Sequence, residues 1–390
     1  MSFGAVLGRH RDEFFTQYWQ KKPLLIRQAF PGGLSAVDAD ELAGLACLEG
    51  VDTRLVLEHG ARPWEVRQGP FEEKSFTKLP ATHWTLLVQA VDRLVPAVSA
   101  LKQQFRFLPN WRVDDIMISY ATDQGSVGPH TDHYDVFLIQ GQGRRRWEIS
   151  AAPLETIELL DGVDLKILKN FKPDLTFDLE PGDMLYLPPS VAHHGRALGS
   201  CLTYSVGFRA PTRRDMTLSY AQFLLQAAED EPDVFYHDQT LTLGREPGLI
   251  TEDEIARLWA LVQEGWNQPE AFRRWVGAFL TEPRSFQEPA DIEFDRAGMR
   301  AFLQRAGGCR RTEGGRFSYY HPGGSTLYFY AEGECAVVGS NLSSLAAYLC
   351  REEHYTLQGL GPEAMAEAGL DLLTHLWNRG FLREEEGEDE

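Results

Sequence analysis

The stretch from Trp111 to Arg209 breaks into short apolar or alternating runs, and these runs constrain the fold more than any other feature of the chain. DDIMISYAT, DVFLIQG, RRRWEIS, DLTFDLE, DMLYLPP and LTYSVGFRA follow one another, separated by DQGSVGP, GQG, PGD and PPS. Short strands at this spacing, punctuated by Gly, Pro and Asp, predict an all-β barrel or sandwich. Gly141-Gln142-Gly143 is expected to turn a hairpin between two strands. Pro181-Gly182-Asp183 is expected to turn the chain into a strand at Met184–Leu187.

The flanks read differently. The opening RDEFFTQYWQKKPLLIRQAF suggests an amphipathic helix running into a strand at Pro-Leu-Leu-Ile. Residues 37–106 look mixed, with helices expected around Asp38–Leu48 and, below a capping-type Thr82, around Leu86–Phe105. After Ala210-Pro211 the texture is helical, with apolar residues three and four apart in Leu218–Ala228, Glu252–Glu264 and Pro269–Leu280. Thr251-Glu252-Asp253-Glu254 is a capping box for the second of these. From about Ala290 helices mix with short strands at Arg316–Tyr320, Thr326–Tyr330 and Cys335–Val338. The chain ends in a nearly all-acidic tail, 384–390, expected to be disordered.

At 390 residues the chain has material for two or three domains. No apolar run approaches the ~20 residues that span a bilayer, so no membrane association is expected. The first fifteen residues meet charges too early for a secretory signal. Five scattered cysteines without a CxxC pair exclude a disulfide framework and the common zinc fingers, and fit a reducing cytoplasm. A formal charge of −19 weighs against nucleic acid as the main partner and suits a basic protein instead.

Chemistry concentrates in the β region. Gly128-Pro129-His130-Thr131-Asp132 sets a His and an Asp two apart, which on a strand would share a face. Pro188-Pro189-Ser190-Val191-Ala192-His193-His194-Gly195 is expected to end the strand that follows the PGD turn. Two His and one carboxylate make the facial triad of non-haem Fe(II) oxygenases, which leaves positions open for co-substrate and oxygen. The same His-x-Asp spacing at His10-Arg11-Asp12 lies in a helical segment, where i and i+2 do not face each other. His193 and His194 compete for the third place, because neighbours on a strand point opposite ways; His133 is on the wrong face relative to Asp132. In Gly143-Arg144-Arg145-Arg146-Trp147, either Arg145 points inward or Arg144 and Arg146 do. A buried Arg needs an anion, and its planar fork suits a carboxylate. Alternation in Asp115-Ile116-Met117-Ile118-Ser119 puts Asp115, Met117 and Ser119 together on one face.

YWQKKPLLIRQAF, DDIMISYAT, SVGPHTDHYDVFLIQGQGRRRW, PGDMLYLPP and YSVGFRAP together resemble the bacterial JmjC-type ribosomal oxygenases, Fe(II)- and 2-oxoglutarate-dependent protein hydroxylases. The resemblance implies an α+β chain: a double-stranded β-helix (cupin/JmjC jelly-roll) core over 1–211, a helical dimerisation block over 212–289, and a winged-helix-like C-terminal domain over 290–383. It implies that His130, Asp132 and His193 bind iron, with His194 standing where the family has Glu. It implies that Arg145 and Ser119 hold 2-oxoglutarate, and that Asp115, Met117 and Tyr134 line the pocket for the substrate side chain. The implied reaction consumes O2 and hydroxylates an arginine of the sixteenth large-subunit ribosomal protein. The partners would be that basic protein and a second copy of the chain, in the cytoplasm, without DNA binding. The alternatives are the same chemistry on a histidine or another residue of a different basic protein, and a non-oxygenase metal-dependent cupin enzyme.

Overall fold

The computed structural model describes residues 5–227, 232–239, 248–283 and 292–385. Nine strands make one antiparallel sheet: β1 (Leu24–Ile26), β2 (Thr53–His59), β3 (Pro63–Gln68), β4 (Trp84–Val88), β5 (Val113–Ala121), β6 (Val136–Pro153), β7 (Leu175–Leu179), β8 (Met184–Leu187) and β9 (Val191–Phe208). Their order is β1-β8-β6-β9-β5-β4-β2-β3, with β7 pairing with β6. Helices α1 (Ala39–Leu45), α2 (Glu73–Phe76) and α3 (Pro96–Leu101) flank the sheet.

The alternation of β5 and β9 decides what each face does. Ile116, Ile118, Tyr204, Val206 and Phe208 enter a core with Phe14, Phe105 and Phe137. Asp115, Met117, Ser119, Ser205 and Gly207 line a cavity on the other face. This is the division of DDIMIS expected from its period of two.

Beyond the sheet come α4 (Arg213–Ala227), α5 (Glu252–Trp266) and α6 (Pro269–Thr281). The capping box of α5 is formed, with Thr251 and Glu254 reciprocally bonded. The C-terminal part holds α7 (Arg296–Ala306), β10 (Gly308–Arg311), β11 (Phe317–Tyr320), β12 (Thr326–Ala331), β13 (Glu334–Gly339), α8 (Ser343–Arg351), β14 (His354–Thr356), α9 (Leu357–Ala364), α10 (Glu367–Asn378) and β15 (Leu382–Arg383). Its strands form two small antiparallel sheets, β14-β10-β15 and β11-β12-β13. They share a separate core that includes Phe302, Phe317, Phe329, Leu345 and Leu376. The expected acidic tail lies outside the described residues from 386 onward.

Three expectations are corrected. Gly141-Gln142-Gly143 does not turn a hairpin: β6 runs straight through it as an 18-residue strand whose register against β9 shifts on either side of Gln142. Gly143 sits at φ +65°, and a Cβ there would lie 2.1 Å from the Ser200 carbonyl oxygen, so the glycine serves an irregular strand crossing rather than a turn. Leu86–Phe105 is not one helix. Leu86, Leu87 and Val88 belong to β4, between β2 and β5, and α3 begins only at Pro96. Residues 37–106 are mixed, as expected, with β2, β3 and β4 interspersed among α1, α2 and α3. The opening is two short irregular helical turns, Ala5–His10 and Phe14–Tyr18, rather than an amphipathic helix. His10 there bonds Glu13 at 2.8 Å.

Candidate metal centre

His130 and His193 are brought opposite each other by backbone pairing, their rings meeting edge-on with centroids 4.2 Å apart. The His130 N–H donates to the His193 carbonyl at 3.0 Å and the His193 N–H to the His130 carbonyl at 2.9 Å. His193 lies near the start of β9, one strand later than the PGD motif suggests, after a turn at Ser190 with φ +64°. Nor is His130-Thr131-Asp132 a regular strand. His130 makes an isolated bridge, and Asp132 is set by its carbonyl, which accepts from the Ser190 N–H at 2.7 Å. The segment leading in is tied down by reciprocal bonds, Gln124 N–H to the Ala197 carbonyl and Ala197 N–H to the Gly125 carbonyl. Gly128 takes φ +79° where a Cβ would strike Ile167 at 2.3 Å. The segment leading out is anchored by buried Asp135, which accepts from Tyr186, Arg112 and Gln20.

One donor atom from each of His130, Asp132 and His193 lies within 4.8 Å of the others, and the His193 Nε2 is 3.6 Å from Asp132 Oδ2. The Nδ1 of His130 is 2.9 Å from the Gly128 carbonyl oxygen, and the Nδ1 of His193 is 2.9 Å from the Val191 carbonyl oxygen. A carbonyl only accepts, so each Nδ1 carries the proton and each Nε2 offers a lone pair. Burial, reinforced by His130, pushes His193 down to about 4, which keeps the ring neutral at neutral pH. His194 points away, its Nδ1 3.6 Å from Glu148 Oε2, and His133 is exposed.

Arg145 is the inward member of its run. It is buried, with its guanidinium donating to Ser119 Oγ at 3.3 Å and Thr203 Oγ1 at 3.2 Å, and 5.4 Å from the Trp147 ring. Its Nε has no partner, and no carboxylate pairs with it among the described residues. Burial lowers its pKa, the mark of a cation short of an anion. Arg146 instead faces outward and grips Asp178 through two bonds, at 2.6 and 2.8 Å.

All of this opens on one cavity of about 480 Å³. Its lining brings together the eight residues that the family resemblance assigns to the site: His130, Asp132, His193, Arg145, Ser119, Asp115, Met117 and Tyr134. Asp115 is buried, its Oδ2 accepting from the Ala90 N–H at 3.1 Å, while Tyr134 is exposed. The sequence reading missed Thr203, the second hydroxyl on Arg145, and Ser205 on the wall. Alternation in Leu202–Phe208 would have found both, since Leu202, Tyr204, Val206 and Phe208 form the core side. It also missed Arg54, Thr85 and Gln89, which belong to strands or strand ends that had been read as mixed or helical.

A jelly-roll sheet that gathers two imidazoles, a carboxylate and a buried arginine around one cavity defines a JmjC-type scaffold, and residues 100–216 match the JmjC domain family. Ribosomal protein uL16 3-hydroxylase of Escherichia coli is 39% identical over 306 residues, 76% of this chain and 80% of that protein. A probable ribosomal oxygenase of Haemophilus influenzae is 41% identical over 266 residues, 66% of this chain and 65% of that protein. The structure of the E. coli ribosomal oxygenase YcfD in complex with cobalt and 2-oxoglutarate aligns with a TM-score of 0.82 and 34% identity, covering 96% of this chain and 98% of that one. The chain belongs to the JmjC-domain ribosomal oxygenases, a family of 2-oxoglutarate oxygenases.

Proposed function

We propose that this chain uses iron(II), 2-oxoglutarate and dioxygen to hydroxylate an arginine side chain of uL16, the sixteenth protein of the large ribosomal subunit. The observation that carries the reading is Arg145: a buried guanidinium held by hydroxyls alone, on the same cavity as His130, Asp132 and His193. The donor set fits the metal, because two imidazole nitrogens and one carboxylate suit iron and leave positions for further ligands. Arg145 fits the co-substrate, because its fork matches the carboxylate that 2-oxoglutarate carries at the end away from its 2-oxo group.

Bound iron and 2-oxoglutarate supply the oxidising power: dioxygen is reduced, the co-substrate is converted to succinate and carbon dioxide, and one oxygen atom enters an unactivated C–H bond. The chain supplies position. His130, Asp132 and His193 hold the metal on one side, with each ring oriented by its Nδ1–H bond to the backbone. Ser119 and Thr203 aim the Arg145 guanidinium, so the distal carboxylate is fixed before the reaction begins. Trp147, Val136 and Leu138 supply apolar wall to the same cavity. Asp115 accepts the substrate guanidinium, and Met117 and Tyr134 flank its aliphatic stem.

The substrate follows from the E. coli relative, whose name is ribosomal protein uL16 3-hydroxylase, together with a carboxylate at Asp115 and a net charge of −19 that favours a basic partner. A cytoplasmic setting accords with five cysteines that are all free thiols. The domain division at 211 and 289, and homodimerisation through the helices between, accord with the separate C-terminal core and the exposed apolar face of α5. The C-terminal part is read as winged-helix-like but not as a DNA reader, since Arg310, Arg311, Arg316 and Arg379 are engaged by Glu313, Glu353, Asp114 and Glu334. The test is mass spectrometry of uL16 incubated with the chain, Fe(II), 2-oxoglutarate and air. One arginine should gain the mass of one oxygen atom, only with 2-oxoglutarate present and not with Asp132→Ala. Succinate without modified uL16 would discard the substrate, and neither product would discard the oxygenase.

A further inference from the structure

Strand β2 ends at Glu58-His59 and β4 is entered through Thr82-His83. The antiparallel register, Leu57 opposite Trp84, sets Glu58 across from His83, and the Glu58 N–H donates to the His83 carbonyl at 3.1 Å. His83 takes φ +65°, a left-handed conformation that persists off glycine only where its surroundings impose it. Its own N–H donates to the Asp123 carbonyl at 3.0 Å. The rings of His59 and His83 lie 5.0 Å apart between centroids. One donor atom each from Glu58, His59 and His83 falls within 4.8 Å of the other two.

Two neighbouring imidazoles gain little from each other, and the carboxylate beside them has no assigned work. Glu58 makes no side-chain hydrogen bond or ion pair among the described residues, and neither does His59 beyond its ring contact with His83. The His83 Nδ1 is 2.8 Å from Thr82 Oγ1. That contact orients the ring and leaves Nε2 as the donor, the arrangement by which ligand histidines are commonly held. We propose that Glu58, His59 and His83 form a second metal site, separate from His130, Asp132 and His193, that takes a divalent ion of the zinc class. Two imidazoles and one carboxylate are a zinc donor set, and three protein ligands leave the fourth position to water. Glu58 and His83 are half-buried and His59 is exposed, so the site opens to solvent. An ion here clamps the ends of β2 and β4 against Asp123, at the root of the segment that leads to His130.

The test is zinc(II) binding to the metal-stripped full chain, by calorimetry and by metal content after dialysis. The wild-type chain should hold two zinc ions. His59→Gln and Glu58→Gln should each weaken one of them at least tenfold, and Asp132→Ala should weaken the other. His59 is exposed and Glu58→Gln keeps its size, so both variants should match wild type by circular dichroism, which separates ligand loss from misfolding. One zinc per chain, lost with Asp132→Ala, would overturn the second site and leave the proposed reaction intact. Two ions whose affinities ignore both His59→Gln and Glu58→Gln would also overturn it. Two ions that respond to those variants but not to Asp132→Ala would uphold the second site and count against the first.

Discussion

A guanidinium with 4% of its surface exposed and only hydroxyl groups for partners is costly in an isolated protein, because desolvation is not offset by an opposite charge. Arg145 is therefore expected to destabilise the ligand-free fold and to be relieved by the co-substrate. Two results follow for Arg145→Met. Its affinity for 2-oxoglutarate should fall by about 2–5 kcal/mol, the usual cost of removing one partner of a buried charged pair, while iron binding stays close to wild type. Its melting temperature without ligands should equal or exceed that of wild type. Normal turnover at low 2-oxoglutarate would show that Arg145 does not hold the distal carboxylate. At this scale much was legible. The run Arg144–Arg146 left two orientations, and burial selects one. His193 and His194 were separable only as opposite faces, and the fold turns His193 rather than His194 toward His130. Thr203 carries no signal alone and is marked only by its apolar neighbours Leu202, Tyr204 and Val206, whose alternation puts it on the cavity side.

Among elements, β5 shows how a strand can be held from outside its own sheet. Its pairing with β9 shifts register between Val113 and Ile116, and both Asp114 and Asp115 line the cavity as a result. Asp92 accepts from the Ile116 N–H at 2.8 Å on one side of this irregularity. On the other, Asp114 is gripped by Arg209 at 3.1 Å and by Arg316 at 2.9 Å, and Arg316 also bonds the Asp114 and Glu282 carbonyls. The C-terminal part thus reaches into the strand that presents Asp115. Arg316→Gln should cost about 3–5 kcal/mol, the penalty for breaking a buried ion pair from one side, read as a lower denaturant midpoint. In the folded fraction it should raise KM for the protein substrate more than KM for 2-oxoglutarate. Equal effects on both would mean that the contact is structural alone. None of this pairing could be read from sequence, since Asp114 and Arg316 are two hundred residues apart. Strand β4 reads as a helix in the sequence for a related reason: Leu86-Leu87-Val88 is a continuous apolar run, which fits a helix as readily as a buried strand.

For the whole molecule, Ile255, Leu258, Trp259, Val262 and Trp266 lie three or four residues apart along α5 and are 40–59% exposed. A stripe of that kind suits a partner helix, in line with the proposed dimer. Light scattering should give twice the 44.0 kDa chain mass, falling to one chain for Trp259→Glu with Val262→Glu. A monomer in the wild type would refute the dimer without touching the site. The assignment of four side chains to metal and co-substrate is checked by a crystal structure of the full chain grown without oxygen, with cobalt(II) and 2-oxoglutarate. The expected density shows a metal on the Nε2 atoms of His130 and His193 and on Asp132, with the far carboxylate of 2-oxoglutarate on Arg145. A metal on His194 and Glu148, or a co-substrate that leaves Arg145 untouched, would contradict it.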